Sequence, residues 1–186
     1  MRSILAVLLV FEVLFLTGTL YMGLEVEDQV NTLAHVNAGI FTTVFTLFIH
    51  CLVMFYLIGS GKDIKKTIED FADLQEAYIP ITKEMKTMVF PVASTAIVLI
   101  LLSAFAGAFV HSEILIDLHT QNPETYPVRS VTGWWIHLAF IVPALVVNLY
   151  AFRQEVRAVS LNVKTIHELN AKVASRIPNP ECREEV

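Results

Sequence analysis

Four uninterrupted apolar blocks, at about 3–24, 34–60, 88–110 and 131–152, leave this chain very few ways to fold. A hydrocarbon core of about 30 Å is crossed by about 20 residues of α-helix, and every block reaches that length. Lipid offers no hydrogen-bond partner to an open backbone, so each crossing segment must satisfy its N–H and C=O groups within itself, as a helix. The sequence therefore predicts an all-α integral membrane protein, a four-transmembrane-helix bundle forming one domain. Composition agrees, with 55% hydrophobic and 17% charged residues and a mean hydropathy of +0.60. Arg2 precedes the first block as in a signal peptide, but no small-x-small cleavage site follows, so this block is read as a retained span.

The cationic residues set the orientation. Twelve of the 13 lysines and arginines fall before the first block, between the second and third, or after the fourth, and only Arg129 lies in the other two connections. The positive-inside rule then puts both termini and the Lys-rich connection in the cytoplasm, with 25–33 and 111–130 outside. A prokaryotic inner membrane is the expected location.

Two stretches beyond the blocks carry helical periodicity. Ile64, Ile68, Phe71 and Tyr78 recur at helical spacing over 62–79, and Pro80 is expected to stop that helix. Val156, Val159, Val163, Ile166 and Val173 do the same over 153–175. Both read as helical extensions into the cytoplasm, which either pack together in parallel or lie on the lipid headgroups. Residues 178–186 are expected to be disordered.

Ionisable groups inside a span are costly and mark functional positions. Glu12 in the first span and His50 in the second are such groups, and His35, His111 and His137 lie near span ends. At a rise of about 1.5 Å per residue, these three histidines share one layer at the outer boundary. Each has a glycine four positions away on its own helix: His35 with Gly39, His111 with Gly107, His137 with Gly133. A missing side chain on the same face admits a neighbouring helix or a flat macrocycle. Imidazole being the commonest transition-metal ligand, the layer is a candidate site for haem b or a transition metal ion. Glu113, Asp117 and His119 follow as further ligands or as groups that orient them. The plainer alternative is that these histidines sit in the headgroup region, as Tyr126, Trp134 and Trp135 are expected to do.

His50 and Glu12 reach a second, deeper layer at nearly one depth, as a buried carboxylate–imidazole pair or proton relay; His50 is also a candidate haem ligand. Two histidines about fourteen residues apart on one helix are the pattern of di-haem cytochromes b, yet no other span supplies the matching pair. Thr42, Thr43 and Thr46 form a polar stripe between His35 and His50. Pro91 and Pro143 are expected to bend their spans. Cys51 and Met54 are read as packing residues, His167 as solvated, and Cys51 and Cys182 are too far apart in topology to pair.

No complete catalytic motif occurs, so the enzyme question stays open. The net charge of −5 leaves no basic stripe for nucleic acid. The leading expectation is haem or metal binding at the outer histidines, with a role in electron transfer. The alternatives are an accessory or scaffold subunit that docks a partner through its cytoplasmic helices, and a small proton or ion transporter. The bilayer itself, with a homo-oligomer or a larger membrane complex, is the expected company.

Overall fold

The computed structural model describes residues 2–25, 29–120 and 131–176, and the side chains of 3–25, 32–110 and 135–176. The expected disordered tail at 178–186 and the connection containing Tyr126 and Arg129 lie outside the described residues, as do the side chains of His111, Glu113, Asp117, His119 and Trp134. The chain is an all-α, multi-pass membrane protein of four helices: α1 (Arg2–Leu24), α2 (Gln29–Thr67), α3 (Ala72–Thr120) and α4 (Val131–Ala174). All four are long and apolar enough to cross a bilayer. Among the described residues there is no strand.

Length separates α1 from the others. Its 23 residues fit one crossing, whereas α2, α3 and α4 have 39, 49 and 44. At about 1.5 Å per residue, helices of that size overrun a hydrocarbon core of about 30 Å by a factor of two. The surplus is amphipathic and packs on itself. Ile64, Ile68, Leu74, Tyr78 and Leu169 form a buried cluster of their own, with Phe71, Ile166 and Val173 against it. The extensions thus pack together rather than lying apart on a headgroup surface.

The extension is nonetheless built differently from the single helix expected over 62–79. α2 stops at Thr67, a turn follows, and α3 starts at Ala72, sixteen residues before its apolar block. The turn is closed by Phe71 N–H donating to the Ile68 carbonyl (3.0 Å) and by the Gln75 side-chain amide donating to the carbonyls of Glu69 (2.7 Å) and Ile68 (3.3 Å). Those bonds satisfy carbonyls that a helix C-terminus leaves open. Pro80 does not stop the helix. It lies inside α3, as Pro91 lies inside α3 and Pro143 inside α4. All three face outward, so the lost hydrogen bond falls on the side away from the bundle.

Inside the bundle the buried positions step by threes and fours. On α4 the row is Ala144, Asn148, Ala151, Glu155, Ala158, Asn162, Thr165 and Leu169. On α2 it includes Thr46, His50, Val53, Leu57, Ser60 and Ile64; on α3, Met85, Val89, Ala93, Ala96, Ile100 and Ser103. A period near 3.5 keeps one seam of each helix turned to its neighbours. Lipid tails are as apolar as leucine, so close packing and polar contacts, rather than apolar burial, hold helices together there. The alanines of α4 permit that closeness, and every second residue between them on this row is polar until Leu169.

Candidate functional site

The polar positions of that seam form layers. At the end away from the 68–71 turn, His35 from α2 and His137 from α4 meet, their ring centroids 6.2 Å apart and nearly perpendicular. His35 Nδ1 lies 3.1 Å from the Thr19 carbonyl of α1. A carbonyl only accepts, so Nδ1 carries a hydrogen. His137 Nδ1 is buried without a hydrogen-bond partner.

Glycine opens this layer, though across helices rather than along them. A Cβ at Gly23 of α1 would come within 2.8 Å of His35 Cε1, and one at Gly107 of α3 within 2.8 Å of His137 Cε1. The expected partner of His35 on its own helix, Gly39, lies nearest Thr19 instead. Each imidazole therefore occupies the space of a side chain missing from the adjacent helix. His111, third in the expected triad, has no described side chain. Among the described residues no three His, Cys, Asp or Glu side chains converge as a metal-binding group.

Below this layer come hydroxyls. Thr19 and Thr42 share a hydrogen bond of 2.8 Å between α1 and α2. Thr46, one turn deeper, contacts Glu12 Oε1 from α1 and also the Thr42 carbonyl at 2.8 Å. Thr43, the other member of the expected stripe, is half-buried and donates to the Gly39 carbonyl of its own helix.

The deepest layer holds the best-defined chemistry. His50 Nδ1 lies 2.6 Å from Glu155 Oε1, and His50 Nε2 lies 2.9 Å from Asn148 Oδ1. His50, Glu155, Asn148 and Glu12 are all 0% exposed. The hydrogen count here is nearly forced. Asn148 donates its Nδ2 to the Ala144 carbonyl at 2.7 Å, which turns Oδ1 towards His50 and makes Nε2 a donor. The one remaining proton lies between Nδ1 and Glu155, giving either imidazolium with carboxylate or imidazole with carboxylic acid. Phe152 stacks on the His50 ring at 5.3 Å.

Glu12 does not pair with His50 by hydrogen bond, as the sequence led one to expect; Glu155 takes that place. Both Glu12 and His50 are buried, and the direct partner of the imidazole is a residue the four blocks did not single out. Glu155 lies just past the end of the fourth block, and Asn148 is not ionisable. The seven-residue spacing of Asn148, Glu155 and Asn162 is the signal that would have joined them on one face. With both nitrogens engaged, His50 has no lone pair to offer a metal, so it is unsuited to act as a haem ligand in this arrangement. Towards the 68–71 turn the row continues in Asn162, which donates to Tyr56 Oη (3.0 Å) and accepts from Ser60 (3.2 Å). Cys51 is half-buried and His167 exposed.

Comparison with known protein families, curated proteins and solved structures finds no match for this chain.

Proposed function

We propose that this protein holds and moves protons inside the membrane, along the polar seam that joins the outer histidines to the cytoplasmic helices. One observation carries the reading: His50 and Glu155, fully enclosed in the bundle, stand 2.6 Å apart, and Asn148 Oδ1 lies 2.9 Å from the other ring nitrogen. Taking ionisable groups out of water is expensive, and replacing such a pair by apolar residues is often neutral or stabilising, so adhesion alone is a weak reason for it. A pair whose proton sits on either partner at small cost is a proton-transfer element. The positive-inside asymmetry supports a cytoplasmic Lys-rich end, and a prokaryotic inner membrane is the proposed home.

The test is proton flux into proteoliposomes loaded with a pH-sensitive dye under an imposed gradient. Wild-type protein is expected to conduct, and Glu155→Gln, close in shape but without a titratable proton, to cut the rate at least tenfold. Equal rates in the two would refute the reading.

A second reading is favoured by the apposition of His35 and His137, with His35 Nδ1 held at the Thr19 carbonyl and His137 Nδ1 buried without a hydrogen-bond partner. Here the outer layer binds a transition metal ion or haem b, and the protein, alone or in a larger membrane complex, takes part in electron transfer. Metal analysis and a Soret band in purified protein, both lost in His35→Ala and His137→Ala, are its expected signs. A colourless, metal-free and stable preparation contradicts it.

A further inference from the structure

Glu12 lies in the same buried interior as His50 and Glu155, and the hydrogens around it can be counted. Thr46 Oγ1 is in hydrogen-bond contact with two oxygens, the Thr42 carbonyl at 2.8 Å and Glu12 Oε1. A threonine hydroxyl has one hydrogen. If that hydrogen goes to Glu12, the hydroxyl and the Thr42 carbonyl face each other as two acceptors. If it goes to the carbonyl, the hydroxyl and a carboxylate face each other in the same way. A carbonyl never donates, whereas a carboxyl can. All contacts are satisfied at once only when Glu12 is a carboxylic acid donating to Thr46 Oγ1, and Thr46 in turn donates to the Thr42 carbonyl.

A second observation points the same way. Glu12 Oε2 is buried without any hydrogen-bond partner, as is Oε2 of Glu155, but only Glu155 has a ring nitrogen of His50 against its other oxygen. On a carboxylate, Glu12 Oε2 would carry charge into the interior unpaired; on a carboxylic acid it is a neutral carbonyl oxygen. The ion pairs among the described residues are His50 with Glu155, Lys164 with Glu168 and Arg176 with Asp73, so neither lysine nor arginine compensates Glu12. The titratable groups acting on it are His50 from α2 and Glu155 from α4, which already neutralise each other.

We infer that Glu12 is a proton-binding site in its own right, loaded at neutral pH, so that the centre stores two separable protons: one on Glu12 and one shared by His50 and Glu155. The inference deepens the proton-handling reading and rests on it for its role, but the protonation of Glu12 is measured separately. Its position fits a site between the central pair and the outer layer. Thr46 ties it to the Thr42 main chain, and the paired Thr42 and Thr19 hydroxyls come next towards His35.

The measurement is infrared absorption of detergent-purified protein at neutral pH, following the carbonyl stretch of protonated carboxyl groups in H2O and in D2O. Wild-type protein is expected to show the band, with a deuterium shift. Glu12→Gln is expected to remove a component of it that Glu155→Gln retains, whichever partner holds the proton between His50 and Glu155. Gln supplies an amide donor to Thr46 in place of the acid, so Glu12→Gln is expected to fold, with unchanged circular dichroism and gel-filtration profile. Absence of the band in wild type, or a band lost in Glu155→Gln and kept in Glu12→Gln, overturns the inference. Conduction failing while the Glu12 band is present would instead remove the proton-transport reading and leave the loaded site standing.

Discussion

At the scale of single residues, the His50–Glu155 contact governs both stability and proposed chemistry. Removing one partner of a buried pair leaves the other uncompensated, so Glu155→Ala is expected to destabilise the protein by about 3–5 kcal/mol. Replacing both partners, in His50→Leu with Glu155→Leu, is expected to restore most of that loss, since the desolvation cost disappears with the charges. Thermal unfolding in detergent compares the two. A double variant as unstable as the single one would mean that the pair is required for packing. Gly107→Ala is expected to push the His137 ring out of its seat, because a new Cβ would meet Cε1 at 2.8 Å. The expected sign is a shifted His137 resonance in NMR of ring-labelled protein, with the helix content unchanged.

At the scale of elements, the hairpin between α2 and α3 and the end of α4 form a region, beyond the apolar blocks, where apolar burial from water does the stabilising. Leu169→Ala should therefore cost about 2–5 kcal/mol there. Limited proteolysis is the check, with faster cleavage near the 68–71 turn expected and the membrane-embedded part left intact. The Asp73–Arg176 pair, with two contacts of 2.9 and 2.6 Å, is exposed, so Asp73→Ala should have only a small effect that shrinks with salt. This region also shows where the sequence was legible and where it was not. The four spans and the apolar rows of both extensions were readable, because a long apolar block and a 3.6-residue period survive without tertiary knowledge. The chain reversal at 68–71 was not, since Ile68 and Phe71 keep the helical spacing straight through the turn. Pro80 misled for a related reason: a proline stops a helix only where its missing bond and ring cannot be accommodated, and here they face outward. Glu155 was hidden because a span defined by lipid thickness ends before it, while the buried seam runs on.

For the whole molecule, the polar seam gives the bundle a direction. Moving along α2 from His35 through Thr42, Thr46 and His50 to Ser60, every buried polar side chain finds a counterpart on α1 or α4 or a backbone carbonyl. By helix rise His35 and His50 are about 22 Å apart, most of a bilayer core. The bundle thus encloses a polar column rather than an isolated defect. With lysine and arginine gathered at one end, the turn at 68–71 is expected in the cytoplasm and His35 towards the opposite face. Cysteine labelling in intact cells, with Glu69→Cys and Leu33→Cys in a background lacking the native cysteines, should mark only the second with an impermeant reagent.

The central claim is that His50 and Glu155 act as one proton-transfer unit. Proton flux through proteoliposomes, measured for wild type, His50→Gln, Glu155→Gln and the double variant, tests it most directly. A shared unit predicts that each single change slows conduction at least tenfold and that the double change slows it no further. Independent, additive losses, or flux unchanged in either single variant, would contradict it.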